Sequence, residues 1–227
     1  PHLKAGRKKL KNRPMTNNRH IREPGNFFTH VVPALLAIPG LYLLLLKSDN
    51  YLSYTAALIY GLGIFTLFCV SSIYHSLPKT PYGIRFWQKF DHCCIYLMIA
   101  GSFTPTALII FDGWLRWLLF GLVWLIAILG CLLKIFNRLK NKAASTGLYI
   151  AMGCLIIPFI AKMVENVPAM GLFWLFLGGV FYIGGTYYYT KDKPLYKYLH
   201  SHELWHLFVN FGALSHFLYN YVYVFKA

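Results

Sequence analysis

Long apolar stretches alternate with short polar connections along most of the chain. Seven of them approach or exceed the roughly 20 residues that a helix needs to cross the ~30 Å hydrocarbon core of a bilayer. They cover 27–46, 51–77, 91–111, 113–136, 145–163, 169–190 and 200–225. This pattern predicts an all-α membrane protein, a seven-transmembrane-helix bundle over residues 27–225 behind a polar tail of residues 1–26. Prolines 33, 39, 105 and 158 fall inside the stretches, and membrane helices tolerate them because neighbouring groups re-satisfy the freed backbone. The run 27–46 leads into Lys47-Ser48-Asp49 rather than a small-residue cleavage site, so it reads as a retained helix and not a signal peptide. There is no internal repeat, no low-complexity tract and no linker long enough to separate domains.

Composition agrees with this reading. Hydrophobic residues make up 57% of the chain and charged ones only 13%, against roughly a quarter charged in soluble domains. The excess apolar surface must face lipid. A net charge of +15 would also suit a nucleic-acid partner, but the position of the cations excludes it. Eight lie in the tail (Lys4, Arg7, Lys8, Lys9, Lys11, Arg13, Arg19, Arg22). Lys79, Arg85 and Lys89 follow in the second connection, Lys134, Arg138, Lys140 and Lys142 in the fourth, and Lys191, Lys193 and Lys197 in the sixth. The opposite side has Lys47, Arg116, Lys162 and Lys226, a split of 18 to 4. Such an alternation is the positive-inside pattern. It predicts a cytoplasmic N-terminus and a C-terminus on the other side. Trp114, Trp117, Tyr187–Tyr189, Tyr219, Tyr221 and Tyr223 fall at interfacial depths. Residues 85–90 read as a short amphipathic piece lying along the cytoplasmic interface. The five cysteines (Cys69, Cys93, Cys94, Cys131, Cys154) all sit in apolar stretches and read as packed thiols rather than a disulfide framework.

Ionisable residues inside membrane segments are costly and call for an explanation. The second stretch ends in Ser71-Ser72-Ile73-Tyr74-His75, the third opens at Asp91-His92, and the seventh opens with His202-Glu203-Leu204-Trp205-His206. The predicted topology puts all three ends at similar depth on one side. His202 and His206, four residues apart, project from one helical face. With His75 they make a three-histidine set, the donor arrangement of catalytic zinc with its fourth position left open. Asp91 is placed to assist a water or orient a ring, and Ser71 lies one turn from His75. Zinc is therefore the expected cofactor, held by His75, His202 and His206, with Asp91 and Ser71 as catalytic support.

The run His202–His206 also fits the H-E-x-x-H pattern of zinc proteases. That reading lacks a third ligand. Gly212 occupies the position a metzincin fills with histidine, no Asp or Glu follows Glu203, and His216 lies 10 residues beyond His206, about 15 Å along a helix. Of the remaining polar residues, His30 is read as an interfacial residue in preference to a group supporting the metal ligands, and His92 as pointing away from the site. Cys94 is expected to be a packed thiol, Asn210 a residue lining the cavity one turn deeper, and His216 an interhelical hydrogen-bonding group.

Three pieces resemble the hemolysin III family, within the progestin and adipoQ receptor superfamily: Ser71-Ser72-Ile73-Tyr74-His75-Ser76, the run from Phe90-Asp91-His92-Cys93-Cys94 to Phe103-Thr104-Pro105, and His202-Glu203-Leu204-Trp205-His206-Leu207-Phe208-Val209. Asn26-Phe27-Phe28-Thr29-His30 resembles the family's opening segment. The resemblance extends from about Gly25 to Phe225. It implies a seven-helix bundle with zinc at the cytoplasmic end, ligand roles for His75, His202 and His206, and supporting roles for Ser71 and Asp91. Within the superfamily, adiponectin receptors are associated with ceramide hydrolysis, alkaline ceramidases share the pattern, and other members are described as steroid receptors or hemolysins.

The expectation is a zinc-dependent hydrolase of a lipid amide or ester, with a membrane lipid as substrate and no nucleic-acid partner. Two readings compete with it. One is a receptor or regulatory scaffold in which zinc ties helices together. The other is a pore, which the lack of a charged ring or glycine-rich filter disfavours.

Overall fold

A computed structural model describes residues 21–191 and 200–225. Residues 1–20, with seven of the eight tail cations, and Lys193, Lys197 and Lys226 lie outside the described residues. The described chain is all-helical: α1 (Pro24–Leu46), α2 (Tyr51–Ser76), α3 (Pro81–Pro105), α4 (Gly113–Ile135), α5 (Lys142–Gly153), α6 (Ile160–Asn166), α7 (Ala169–Lys191) and α8 (Ser201–Tyr219). A π turn, Thr106–Ile110, extends α3 past Pro105. A second, Asn220–Val224, extends α8. A 3-10 segment, Cys154–Phe159, joins α5 to α6 around Pro158.

Local sequence sets the element ends. Asn50 accepts from the Ser53 amide while the Ser53 hydroxyl accepts from the Asn50 amide, a reciprocal cap that starts α2. Thr80 caps α3, which has Pro81 in its first turn. Because α3 runs unbroken from Pro81, residues 85–90 are its opening turns and not a separate interfacial piece. Nothing between Thr80 and Asp91 breaks a helix.

Six segments are long and apolar enough to cross a membrane: Pro24–Leu46, Tyr51–Ser76, Pro81–Ile110, Gly113–Ile135, Lys142–Asn166 and Ala169–Lys191. The last segment, α8 with its π turn, falls outside this group because His202, Glu203, His206, Asn210, His216 and Asn220 dilute its apolar content. Polarity is inverted relative to a water-soluble protein. Leu35, Leu36 and Trp114 are 62%, 64% and 75% exposed, while His75, His206 and Asn220 are at most 2% exposed. A surface of large apolar side chains over a polar interior fits lipid as the surrounding solvent.

The helices pack in sequence order from α1 to α4, α7 packs on α8, and α8 returns to α1. The segment α5–α6 closes the ring more loosely, against α3, α4 and α7. Small residues allow the tight contacts. A Cβ at Gly101 would meet the Ile59 carbonyl oxygen at 3.3 Å and the Cα atoms of Gly63 and Tyr60 at 3.9 Å, so α2 and α3 cross backbone against backbone. Gly130 receives the Tyr96 ring, and Gly185 receives Trp205 and Phe208.

A leucine at Gly101 would push α2 from α3, and overpacking of this kind costs about 1–3 kcal/mol. Gly101→Leu should lower the melting temperature of the detergent-solubilised protein by several degrees. Gly121→Leu, where a side chain meets nothing within 4 Å, should leave it unchanged. Equal melting of the two variants would contradict the close α2–α3 crossing.

Candidate metal centre

The end of α2, the start of α8 and the start of α1 meet at one end of the bundle. His75 comes from the last turn of α2 and is 2% exposed; His206, on α8, is also 2% exposed. His202 lies one turn before His206. One ring nitrogen from each of the three lies within 4.8 Å of the others. The His75 and His202 Nε2 atoms are 3.3 Å apart. Two nitrogens bound at ~2.0–2.1 Å to one tetrahedral zinc stand about 3.3 Å apart, so this spacing suits the ion.

The opposite ring nitrogens are already engaged. His75 Nδ1 lies 2.6 Å from Glu23 Oε2, and His206 Nδ1 lies 2.9 Å from the Thr29 hydroxyl. A partner on Nδ1 fixes ring orientation and tautomer and leaves Nε2 free as a donor atom to a metal. The donor set therefore fits zinc: two buried rings, each anchored through Nδ1, and a third within reach.

Glu23 is itself firmly held. Its amide donates to the His75 carbonyl at 2.9 Å, and the Arg22 amide donates to the Ser76 carbonyl at 3.3 Å, which pins the chain before α1 to the end of α2. Arg22 Nε lies 3.0 Å from Glu23 Oε1, and the Asn26 amide group donates to Glu23 Oε2 at 3.0 Å. Burial pushes the Glu23 carboxyl up. The His75 hydrogen bond and charge, joined by Arg22 and Asn26, outweigh it and hold the group down at about 2. Sequence reasoning missed both Glu23 and Thr29. Glu23 was grouped with the basic tail, although it is that segment's one acid and lies just ahead of an apolar stretch.

Around these rings lie the other polar residues singled out from the sequence; His92 lines the same cavity and Asn210 does not. Asp91, half-buried on α3, faces the Ser71 hydroxyl within electrostatic reach of His75. His30 is not interfacial. It is 3% exposed and stacks on His206 at 3.6 Å between centroids, and both its ring nitrogens are buried without a protein partner. The unbroken turn from Glu23 through Thr29 carries it inward with the groups that hold His75 and His206. His92 turns to the Tyr189 hydroxyl at 3.0 Å, and Cys94 packs into the apolar core. Asn210 ties α8 to α1 by donating to the Thr29 carbonyl at 2.8 Å. His216 bonds the Leu175 carbonyl of α7 at 3.1 Å.

Glu203, the acid of the H-E-x-x-H run, serves a different purpose. Its carboxylate accepts from the His200 amide at 2.8 Å and caps α8. It packs where a Cβ at Gly25 would stand, so the glycine gives the carboxylate its place against α1. A carboxylate committed to a helix cap is poorly placed to act as the base of a metalloprotease.

The histidines open onto a cavity of about 1230 Å³. Its inner wall is apolar, with Ile95, Ile99 and Phe103 on α3, Ile150 on α5, and Val180 and Ile183 on α7. An imidazole cluster with a nearby carboxylate and hydroxyl, opening into an apolar chamber, can present a polar bond of an otherwise apolar molecule to reactive groups.

A family model described as "Haemolysin-III related" matches residues 18–217. "Hemolysin-3" of Bacillus cereus is 36% identical over 200 residues, covering 86% of this chain and 88% of that protein. "Hemolysin-3 homolog" of Bacillus subtilis is 33% identical over 86% of this chain and 91% of its own length. "Monocyte to macrophage differentiation factor" of Homo sapiens is 29% identical over 89% and 84%. With six apolar helices and a match across nearly all of its length, the chain is an integral multi-pass membrane protein and belongs to the haemolysin-III-related family.

Proposed function

We propose that this protein is a zinc-dependent hydrolase of a lipid amide or ester, in the manner of a ceramidase, working at the histidine end of a seven-span bundle. The observation that supports this most is the convergence of three histidine donors, Asp91 and Ser71 at the polar end of a large apolar cavity. Zinc held by His75, His202 and His206 would polarise a substrate carbonyl and acidify water toward a pKa of ~7. Asp91 receives the proton of the attacking water and passes it to the amine or alcohol that leaves as the acyl bond breaks. Ser71 holds Asp91 in orientation, and the apolar walls keep the acyl chain dry. The same donors suit a receptor or scaffold in which zinc ties α2 to α8, since His75 and His202 come from those two helices.

Three measurements test this reading. Metal analysis of purified protein should find about one zinc per chain. His75→Ala, His202→Ala or His206→Ala should each strip most of it, because two protein ligands rarely hold zinc, whereas His216→Ala should not. Glu23→Gln keeps a hydrogen-bonding group but loses the charge behind His75, and should weaken zinc by about 10–100-fold. Full zinc in the His75→Ala protein would dismiss the three-histidine site.

Asp91→Asn separates enzyme from scaffold. It should keep zinc and fold normally, yet release fatty acid from ceramide-like or ester lipids about 10²-fold more slowly. If wild type cleaves no lipid while zinc removal still lowers its melting temperature, the zinc is structural.

Seven spans put the ends of the chain on opposite sides, with the N-terminus cytoplasmic by the distribution of cations. Reporters fused ahead of residue 1 and after residue 227, probed for protease access in sealed vesicles, should differ in protection. Protection of both or of neither implies an even number of spans.

A further inference from the structure

The polar end of the cavity carries a feature that zinc hydrolysis does not use. Arg85 and Lys89 from the start of α3, Lys134 from the end of α4, and Lys140 and Lys142 around the start of α5 all line the same cavity as the histidines. These are three separate segments, brought together by specific geometry. Arg85 and Lys89 are four apart and share a helix face. Asn137 adopts a left-handed conformation, φ 55°, which turns the chain back after α4 so that Lys134 and Lys140 both reach the rim. Lys89 Nζ donates to the Ile135 carbonyl at 3.2 Å, which locks α3 to the end of α4. Lys142 lies 4.0 Å from the centre of the Tyr189 ring.

The acids of the cavity wall are committed elsewhere: Glu23 to His75 and Arg22, Glu203 to the α8 cap, and Asp91 beside Ser71. Among the described residues the ion pairs are Arg22–Glu23, His75–Glu23 and Lys162–Glu165, so Arg85, Lys89, Lys134 and Lys140 have no carboxylate within 4 Å. A topological bias in charge accounts for cations on one side of a membrane. It does not account for Arg85, Lys89, Lys134 and Lys140, from three segments, lining one cavity with no described carboxylate within 4 Å, where like charges repel. A bound anion would relieve that repulsion. Several lysines and an arginine suit the dispersed negative charge and multiple acceptor oxygens of a phosphate.

We infer that the rim formed by Arg85, Lys89, Lys134 and Lys140 is a phosphate site, and that the molecule taken by the cavity is an anionic, phosphate-bearing amphiphile whose acyl part lies along Ile95, Ile99, Phe103 and Val180. This rests on the reading of the cavity as a lipid site, but not on zinc or on hydrolysis. It distinguishes the ligand from neutral ceramide-like lipids by its headgroup.

The test compares binding of phosphatidic acid, diacylglycerol with the same chains, and inorganic phosphate to the purified full chain, by native mass spectrometry and thermal shift, with zinc content measured in parallel. Phosphatidic acid should bind at least roughly tenfold more tightly than diacylglycerol, a difference of about 1.4 kcal/mol, and the preference should shrink as salt rises. The Arg85→Gln/Lys134→Gln/Lys140→Gln protein should lose the preference while keeping zinc, and Arg85→Lys/Lys134→Arg/Lys140→Arg should retain it. Inorganic phosphate that competes at the rim and leaves diacylglycerol binding untouched also supports the site, and identifies free phosphate as an occupant. Equal binding of phosphatidic acid and diacylglycerol, or an undiminished preference in the glutamine variant, overturns the inference. A phosphatidic-acid preference without any lipid hydrolysis would leave this site standing and remove only the hydrolase reading.

Discussion

The histidine end of the bundle depends on one requirement: three imidazoles must be kept close together with two of them out of water. A buried ring nitrogen without a partner costs about as much as a lost hydrogen bond or more. His75 and His206 avoid this through Glu23 and Thr29, both on the segment that opens α1. That requirement fixes where α1 must lie. Its first turns are held between α2 and α8, pinned by backbone bonds to His75 and Ser76 and by the Asn210–Thr29 bond from α8. Gly25 leaves room at this point for the capping carboxylate of Glu203, which occupies the space a side chain would take.

Packing elsewhere is uneven, and the unevenness creates the chamber. On one side α2 and α3 cross at Gly63 and Gly101, and α7 and α8 interlock aromatic rings into glycine sockets. On the other, the α5–α6 segment is interrupted by the 3-10 stretch at Pro158 and touches its neighbours sparingly. Gly147, Gly153 and Gly179, on α5 and α7, face nothing within 4 Å. A ring of helices that is dense along α8–α1–α2–α3 and open along α5 leaves a cavity against the histidines rather than a filled core.

Much of this was legible in the sequence because two strong physical signals coincide. Apolar runs of about 20 residues identify membrane helices with little ambiguity. A histidine or carboxylate inside such a run is costly enough to mark a site. That logic singled out His75, His202, His206, Asp91 and Ser71 from three distant segments. Glu23 and Thr29 were not, since neither breaks an apolar run: Glu23 precedes one, and Thr29 is an unremarkable helical residue. His30 was misplaced for a related reason. At a helix start, depth alone does not tell an interfacial ring from a buried one; stacking on His206 decides it, and that contact joins residues 176 positions apart. The start of α3 at Pro81 was missed because a charged opening turn looks like a connection until its cap, Thr80, is seen in place.

The groups that surround the histidines bear on whether a metal there would be catalytic or structural. Structural zinc sites close all four positions, commonly with thiolates. Here the neighbouring thiol, Cys94, packs into the apolar core, and Glu203, the acid nearest in sequence, is spent on a helix cap. Beside the three donors stand the His30 ring, stacked on His206, and Asp91 with Ser71, a pair better suited to moving a proton than to completing a closed coordination shell. The space next to them is a chamber of about 1230 Å³, far larger than a site that only fastens helices requires. Its polar end is basic and its inner wall apolar, so an amphiphile entering headgroup-outward would bring a bond near its polar–apolar junction toward the histidine end. Such an arrangement is what the proposed lipid hydrolase requires.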